Sequence, residues 1–221
     1  MLKQIWEITL MNLQNLRSRI GSSSVIVVGI AGVVGVLVGL LSMASGFTAA
    51  LQSTSKPDRA LVLREGSNGE MTSGVSIQDL NIVSRMEGIS ASSGELFVVA
   101  DVPKKSTGTP ANLVVRGVQQ SAFAIRPEVR IVEGRNFATG VGELIVGAKA
   151  LVEFSGLELG EKIQFRDSAW TVVGIFESDG NSHESEVWAD LAVVQTAFRR
   201  GGGMNSIRVI VDDPGLFDPI N

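Results

Sequence analysis

Along the chain the spacing of apolar residues changes twice. In the leader MLKQIWEITLMNLQNLRSRI, at about 100° per residue, Leu2, Ile5, Trp6, Leu10, Leu13, Leu16 and Ile20 share one arc, with Lys3, Glu7, Gln14 and Ser18 largely opposite. This predicts an amphipathic helix over 1–20. From Val25 to Phe47 the period gives way to an unbroken apolar run, VIVVGIAGVVGVLVGLLSMASGF. After residue 56 the period becomes mostly two, which predicts strands at Ala60–Arg64, Leu96–Val102, Asn112–Val118, Val129–Glu133, Glu143–Val146, Lys162–Arg166, Thr171–Phe176, Glu186–Trp188 and Ser206–Val211. Three helices are predicted among them. One opens at Ser76 with Asp79 as a capping box and runs to about Met86; a short one covers Ala148–Phe154; the third, Asp190–Arg199, carries Leu191, Val194 and Phe198 on one stripe. Strands outnumber helices and the connections are too short for regular βαβ crossovers, so the fold class is α+β. The expected organisation is a surface helix at 1–20, a transmembrane helix at 21–50 and a strand-rich mixed core domain at 56–221, built as one lobe or two.

The apolar run of 23 residues carries no charge. As a helix it is about 34 Å long, enough to cross a bilayer. A cleaved signal peptide is the competing reading, because Ser42-Met43-Ala44 has the small-x-small form of a cleavage site. The long leader, and a run exceeding the usual signal core of about 7 to 15 residues, favour an uncleaved anchor. Arg17 and Arg19 precede the span, and Lys56 and Asp58 follow it. The positive-inside bias therefore puts the leader in the cytoplasm and the core domain outside. The leader helix is expected to lie along the inner membrane surface, with Trp6, Arg17 and Arg19 as interfacial anchors, although packing on a soluble core would also suit it. Within the span Ala31, Gly35 and Gly39 recur every fourth residue and share one face, where a partner helix can approach closely; a Gly-rich run also yields such spacing by composition alone.

Composition narrows the chemistry. With no Cys there are no disulfides, thiolate metal sites or Cys nucleophiles, and with one His there is no multi-His metal site. Residues 56–221 hold 16 basic against 22 acidic side chains, a net −6, which is the wrong sign for nucleic acid. The nearest approach to a phosphate loop is Gly142–Lys149, but Ala148 separates Gly147 from Lys149 and no Ser or Thr follows, so neither phosphates nor magnesium would be held. His183, in Asp179-Gly-Asn181-Ser-His183-Glu184-Ser-Glu186, suggests a cation loop or a Ser/His/Asp triad. The segment lacks the glycine and distant Glu of a calcium loop, and reads instead as a polar hairpin between the strands ending at Phe176 and beginning near Val187. Lys104-Lys105 and Arg199-Arg200 read as solvated loop charge, and Trp170 as core. No catalytic, cofactor-binding or metal-binding residue emerges.

The order of the motifs is more specific than any one of them. Arg116-Gly117-Val118 is followed by Ile131-Val-Glu133-Gly134-Arg135-Asn-Phe137, Gly142-Glu143-Leu-Ile-Val-Gly147, Gly156-Leu-Glu-Leu-Gly160-Glu-Lys-Ile163, Trp170-Thr-Val-Val-Gly174-Ile-Phe176 and Glu186-Val-Trp188-Ala-Asp190-Leu with Gln195. This series resembles the extracytoplasmic core domain of MacB/FtsX-like ABC transporter permeases, and so does the layout of basic leader, first span and outer domain. Read physically, Gly134, Gly142, Gly147, Gly160 and Gly174 belong at strand ends or bends, and Glu133 and Glu143 are expected to accept nearby backbone or Arg hydrogen bonds.

The resemblance implies a permease subunit of the inner membrane that is not itself an enzyme and binds no cofactor. ATP belongs to a separate cytoplasmic ABC ATPase. A second permease copy, identical or not, completes the membrane part, and the periplasmic domain moves or signals to a substrate or partner outside. Family members have further spans after the outer domain, whereas this chain ends at DDPGLFDPIN. A piece truncated before further transmembrane helices is therefore expected. The alternative is a single-span anchored binding or adaptor protein without transport activity.

Overall fold

The computed structural model describes residues 2–16, 20–54, 56 and 58–213. The chain divides into two compact units, Met1–Gln52 and Ser53–Asn221. The first consists of helix α1, Leu2–Leu16, and helix α2, Ile20–Thr54, the second of which continues past the last apolar residue of the run. Ser24–Gly46, 23 residues of α2, is long and apolar enough to cross a membrane and is fully exposed. On α1, Ile5, Trp6 and Leu10 are exposed. Residues Arg17 and Arg19, and the side chains of Leu2, Leu13, Leu16 and Ile20, lie outside what is described.

The second unit is built on one sheet. Its strands are β1 Arg59–Val62, β2 Ile89–Pro103, β3 Pro110–Val118, β4 Arg130–Gly134, β5 Glu143–Gly147, β6 Lys162–Phe165, β7 Ser168–Glu177, β8 Glu186–Asp190 and β9 Ser206–Val211. They run in the order β1-β9-β2-β3-β8-β5-β7-β4, with β6 also on β7. Most pairs are antiparallel, and two are parallel: β3 with β8, and β5 with β7. Between strands lie α3 Ile77–Val83, α4 Ser121–Ile125, α5 Ala148–Glu153 and α6 Leu191–Ala197. The capping box at Ser76 and Asp79 is formed in both directions. Asp190 caps α6, its Oδ1 accepting from the amides of Ala192 and Val193 at 3.1 and 3.2 Å.

The two sheet faces are covered differently. Leu96, Val98, Leu113, Val115, Leu144, Val146, Val187, Ala189, Ile207 and Val209 point to the side where Leu80 of α3, Ala150 of α5 and Leu191 and Val194 of α6 complete the main core, which includes Trp170. Gly117 of β3 lets α6 come down on that side, because an added Cβ would lie 3.0 Å from Cβ of Val194. The opposite face carries a smaller aromatic cluster, Val118, Ala122, Val129, Phe137, Ile145, Phe176 and Trp188, which α4 helps to cover.

Strands β7 and β8 do not form the expected hairpin, because β5 lies between them. The segment from Ser178 to Ser185 instead crosses the end of β5, and a Cβ at Gly147 would collide with the backbone of Glu184. That segment ties itself together, Glu184 Oε1 accepting from the amides of Ser178 and Gly180 at 2.9 and 2.7 Å. His183 is consequently buried rather than solvated.

Candidate functional site

Between the small aromatic cluster and the β1 edge of the sheet lies a buried network of charges. Register places Glu95 of β2 across from Ser206 of β9, and Arg116 of β3 between Phe97 of β2 and Trp188 of β8, so all five project from the same face. Arg208 of β9 is on that face as well, opposite Ser93. Arg126, which ends α4, enters from above, and Glu70 arrives on a one-turn helix, Glu70–Thr72.

Arg116 is the hub. Its Nε and Nη2 donate to Glu186 Oε2 and Oε1 at 2.7 and 2.8 Å, and its Nη1 donates to Glu95 Oε2 at 3.0 Å and to both Glu70 oxygens at 3.0 and 3.2 Å. Two more arginines face Glu95: Arg126 Nη2 donates to it at 2.7 Å and Arg208 Nε lies 3.4 Å away. Glu186 Oε2 also accepts from Trp188 Nε1 at 2.8 Å and stands 3.4 Å from His183 Nδ1. The guanidinium of Arg126 packs 5.0 Å from the centre of the Trp188 ring, and His183 meets that ring edge-on. Three guanidinium groups thus meet three carboxylates, with Arg116, Arg126, Glu95 and Glu186 buried and Arg208 and Glu70 partly so. In such a place a charge persists only if it is fully paired.

The charge states follow from this pairing. Burial pushes the Glu95 carboxyl up, but Arg126 and Arg116 outweigh it and hold it down at about 2. Glu186 is driven well below the ordinary carboxylate range against burial, chiefly by Arg116, and Glu70 is lowered against burial for the same reason. Burial lowers His183, and the nearby Arg116 and Arg126 lower it further against the pull of Glu186. Near neutrality the carboxylates are therefore ionised and His183 is neutral. The paired charges tie together the strands that carry them.

The residues singled out from sequence are spread over the chain. Ala31, Gly35 and Gly39 share one face of α2, and Trp6 is exposed on α1. Lys149 does not serve phosphate: its Nζ donates to the carbonyls of Gly180 and Asn181 and lies 3.5 Å from Glu184. Glu143 accepts a fork from Arg135 at 2.5 and 2.7 Å and the amide of Ala138 at 2.9 Å, while Glu133 is exposed. Gly134 and Gly160 have φ of 74° and 85°, whereas Gly147, at φ −68°, is needed for space. Lys104 and Lys105 are paired with Glu153 and Glu158 at 2.5 and 2.7 Å rather than simply solvated. Among the described residues no three His, Asp or Glu side chains are grouped as metal ligands.

Sequence reasoning reached Arg116 and Glu186 only as motif residues and missed Glu70, Glu95, Arg126 and Arg208 altogether. Glu95 and Arg208, on strands, alternate with apolar positions just as they would on a solvated face, and Glu70 and Arg126 lie outside the strands with no pattern to read. A groove of about 1010 Å³ lies apart from the network, lined by Val75, Gln119, Gln120, Leu191, Gln195 and Met204 among others.

The description "MacB-like periplasmic core domain" belongs to a family model that matches residues 23–219, which takes in the apolar span and the whole sheet. The fold is shared with the periplasmic region of MacB from Actinobacillus actinomycetemcomitans, at TM-score 0.53 and 15% identity over 71% of this chain and 75% of that one. It is shared also with the extracellular domain of the noncanonic ABC-type transporter YknZ from Gram-positive bacteria, at TM-score 0.53 and 14% identity over 69% of this chain and 82% of that one. No curated protein matches the chain. The match through span and sheet agrees with the motif order in the sequence, and the chain belongs to the MacB-like periplasmic core domain family, that of MacB/FtsX-like ABC transporter permeases.

Proposed function

We propose that the chain works as a permease subunit that couples ATP hydrolysis by a separate cytoplasmic ATPase to movement of its outer domain. The observation that carries this is that one family match runs without interruption through an apolar span and the strand-rich domain behind it. In this reading α1 lies along the cytoplasmic membrane surface with Trp6 at headgroup depth, α2 is the first span, and the sheet domain is periplasmic. A second permease copy packs against the face bearing Ala31, Gly35 and Gly39. ATP binds the partner ATPase, and this chain holds no cofactor. The stroke serves export, lipoprotein release or signalling to a partner outside.

The structure of the sheet suits a transmitted force. Strand β1 follows α2 within a few residues and is hydrogen-bonded to β9, the last strand among the described residues, at one edge of the sheet. From there the buried network reaches β9, β2, β3 and β8 as a single tied unit. A pull at the edge is therefore carried inward by charge-assisted bonds instead of being absorbed by sliding strands.

The test is to tag the protein in its own membrane, solubilise it gently and identify co-purifying proteins, with and without a vanadate trap. An ABC ATPase in stoichiometric amount, held more firmly under vanadate, is the expected result. Recovery without any ATPase under either condition would overturn the reading and leave a single-span anchored binding or adaptor protein as the working function.

A further inference from the structure

The Glu70 carboxylate is unlike the other members of the network. Glu95, Glu186, Arg116 and Arg208 stand on strands of the sheet and Arg126 ends α4, whereas Glu70 hangs from the long connection between β1 and α3. The backbone bonds of residues 65–72 stay within the connection: Ser67 donates to the Arg64 carbonyl and Thr72 to that of Gly69. Every hydrogen bond that residues 65–72 make to the sheet is accepted by the Glu70 carboxylate, from Arg116 Nη1 at 3.0 and 3.2 Å and from Ser206 Oγ at 2.7 Å. This turn buries no residue, and Met71 is 69% exposed. Residues 65–72 are a strap held to the sheet by one side chain along its length and pinned at its far end by the buried Ser73, whose carbonyl accepts from Asn205 Nδ2 at 3.0 Å.

The floor beneath it fits a carboxylate better than Glu70 uses it. Arg116 and Ser206 are engaged at full strength, but Arg208 Nη2 stays 3.9 Å from Glu70, and the buried Nε of Arg208 makes no hydrogen bond. Arg208 and Glu70 are also the members nearest to solvent, at 23% and 15% exposure of their side chains. Lifting the strap would leave three guanidinium groups against the two carboxylates of Glu95 and Glu186. That surplus positive charge, presented by rigid strands with a hydroxyl beside it, recognises an anion.

We propose that Arg116, Arg208 and Ser206 form a binding site for an acidic side chain of a partner polypeptide, and that the strap carrying Glu70 is its displaceable internal occupant. What the floor holds now sets the form of the ligand: a Glu side chain on a single turn of backbone. The tether gives Glu70 an effective concentration in the millimolar range, so a partner must supply additional contacts to displace it. The site would then report partner arrival to the network that ties β3 to β8. This inference stands independently of the permease reading.

The experiment uses the full chain in detergent micelles, as wild type and as Glu70→Ala, with the strap's own sequence as probe: N-acetyl-Gly-Glu-Met-Thr-amide, its Gln counterpart, and acetate at matched ionic strength. Expected is saturable binding of the Glu peptide to Glu70→Ala, at least tenfold tighter than the Gln peptide or acetate, and no binding to wild type at the same concentration. Should Glu70→Ala fold only in the presence of a ligand, the same order would be read from the melting temperature. In wild type the amides of residues 67–72 should exchange with deuterium at least 100-fold faster than those of β3 and β8. Equal response to Glu and Gln peptides, acetate matching the Glu peptide, or strap amides protected as long as the strands would each overturn the proposal.

Discussion

Arg116 and Glu186 close a two-bond fork across the parallel joint between β3 and β8, with Nε to Oε2 at 2.7 Å and Nη2 to Oε1 at 2.8 Å. On one side of that joint lie β1, β9, β2 and β3, and on the other β8, β5, β7 and β4. Parallel pairing is slightly weaker per residue than antiparallel, so the joint gains from a side-chain tie. Both partners are buried, and removing either one strands a charge that still carries its desolvation cost. Glu186→Ala or Arg116→Ala should therefore destabilise the outer domain by about 3–5 kcal/mol. Arg116→Lys should also destabilise it clearly, because an ammonium cannot reproduce the fork. Urea midpoints of the full chain in micelles, followed by tryptophan fluorescence, to which the buried Trp170 and Trp188 contribute, measure this. By contrast Lys105→Ala, which breaks an exposed pair with Glu158, should cost under about 1 kcal/mol.

The crossing of the Ser178–Ser185 segment over β5 makes Gly147 a second point of sensitivity. Glu184 backbone atoms occupy the space a Cβ would need there, and backbone cannot rotate away as a flexible side chain would. Gly147→Ala should cost about 1–3 kcal/mol or more through overpacking. Gly74→Ala, where an added Cβ meets nothing within 4 Å, should stay within about 0.5 kcal/mol. Thermal melts of the two variants side by side check the contrast, and equal melting temperatures would show that the crossing is loosely held.

How far the sequence reveals this domain depends on which residues one follows. Apolar runs and alternation mark part of each of the nine strands, although β2 begins at Ile89 rather than Leu96, and the Ser76 capping box and the Leu191 stripe mark α3 and α6, because each of these signals is local. Helix α4 is five residues long and offers no stripe to read. Glu95 and Arg116 alternate with Leu96 and Val115 in a pattern that equally describes a solvated face, and only the fold reveals that both faces are covered. His183 was expected in a solvated hairpin because Phe176 and Val187 are close in sequence. Which strand lies between β7 and β8 is a long-range fact with no local signature. For the same reason the grouping of Glu70, Glu95, Arg116, Arg126 and Arg208, which come from five separate segments, has no spacing motif.

The charge network makes stability fall in acid in two stages. The His183 pKa is lowered on folding, so the unfolded chain binds more protons below its ordinary 6.5 and stability drops as pH falls from there. Glu95 is lowered from 4.5 to about 2, and Glu186 and Glu70 are lowered as well; their contribution is complete above pH 4.5 and is lost progressively as pH falls through that interval. Melting temperatures taken in half-unit steps from pH 7.5 to pH 2.5 should therefore show a shallow decline followed by a steep one. His183→Gln should abolish the shallow stage and keep the steep one. A flat profile in wild type down to pH 3 would contradict the pairing.

In the membrane unit, Ala31, Gly35 and Gly39 lie on one face of α2, and a Cβ placed at Gly35 or Gly39 meets nothing within 4 Å among the described residues. A larger side chain there has no neighbour of its own to disturb, so any effect must come through another helix. If the stripe seats a partner helix, Gly35→Ile and Gly39→Ile should each weaken association between copies in liposomes severalfold, read by energy transfer between labelled chains. The melting temperature of the outer domain should not move, because that unit folds around its own sheet core. Association unchanged by both substitutions would mean that the four-residue spacing reflects the glycine content of the span and seats no partner helix.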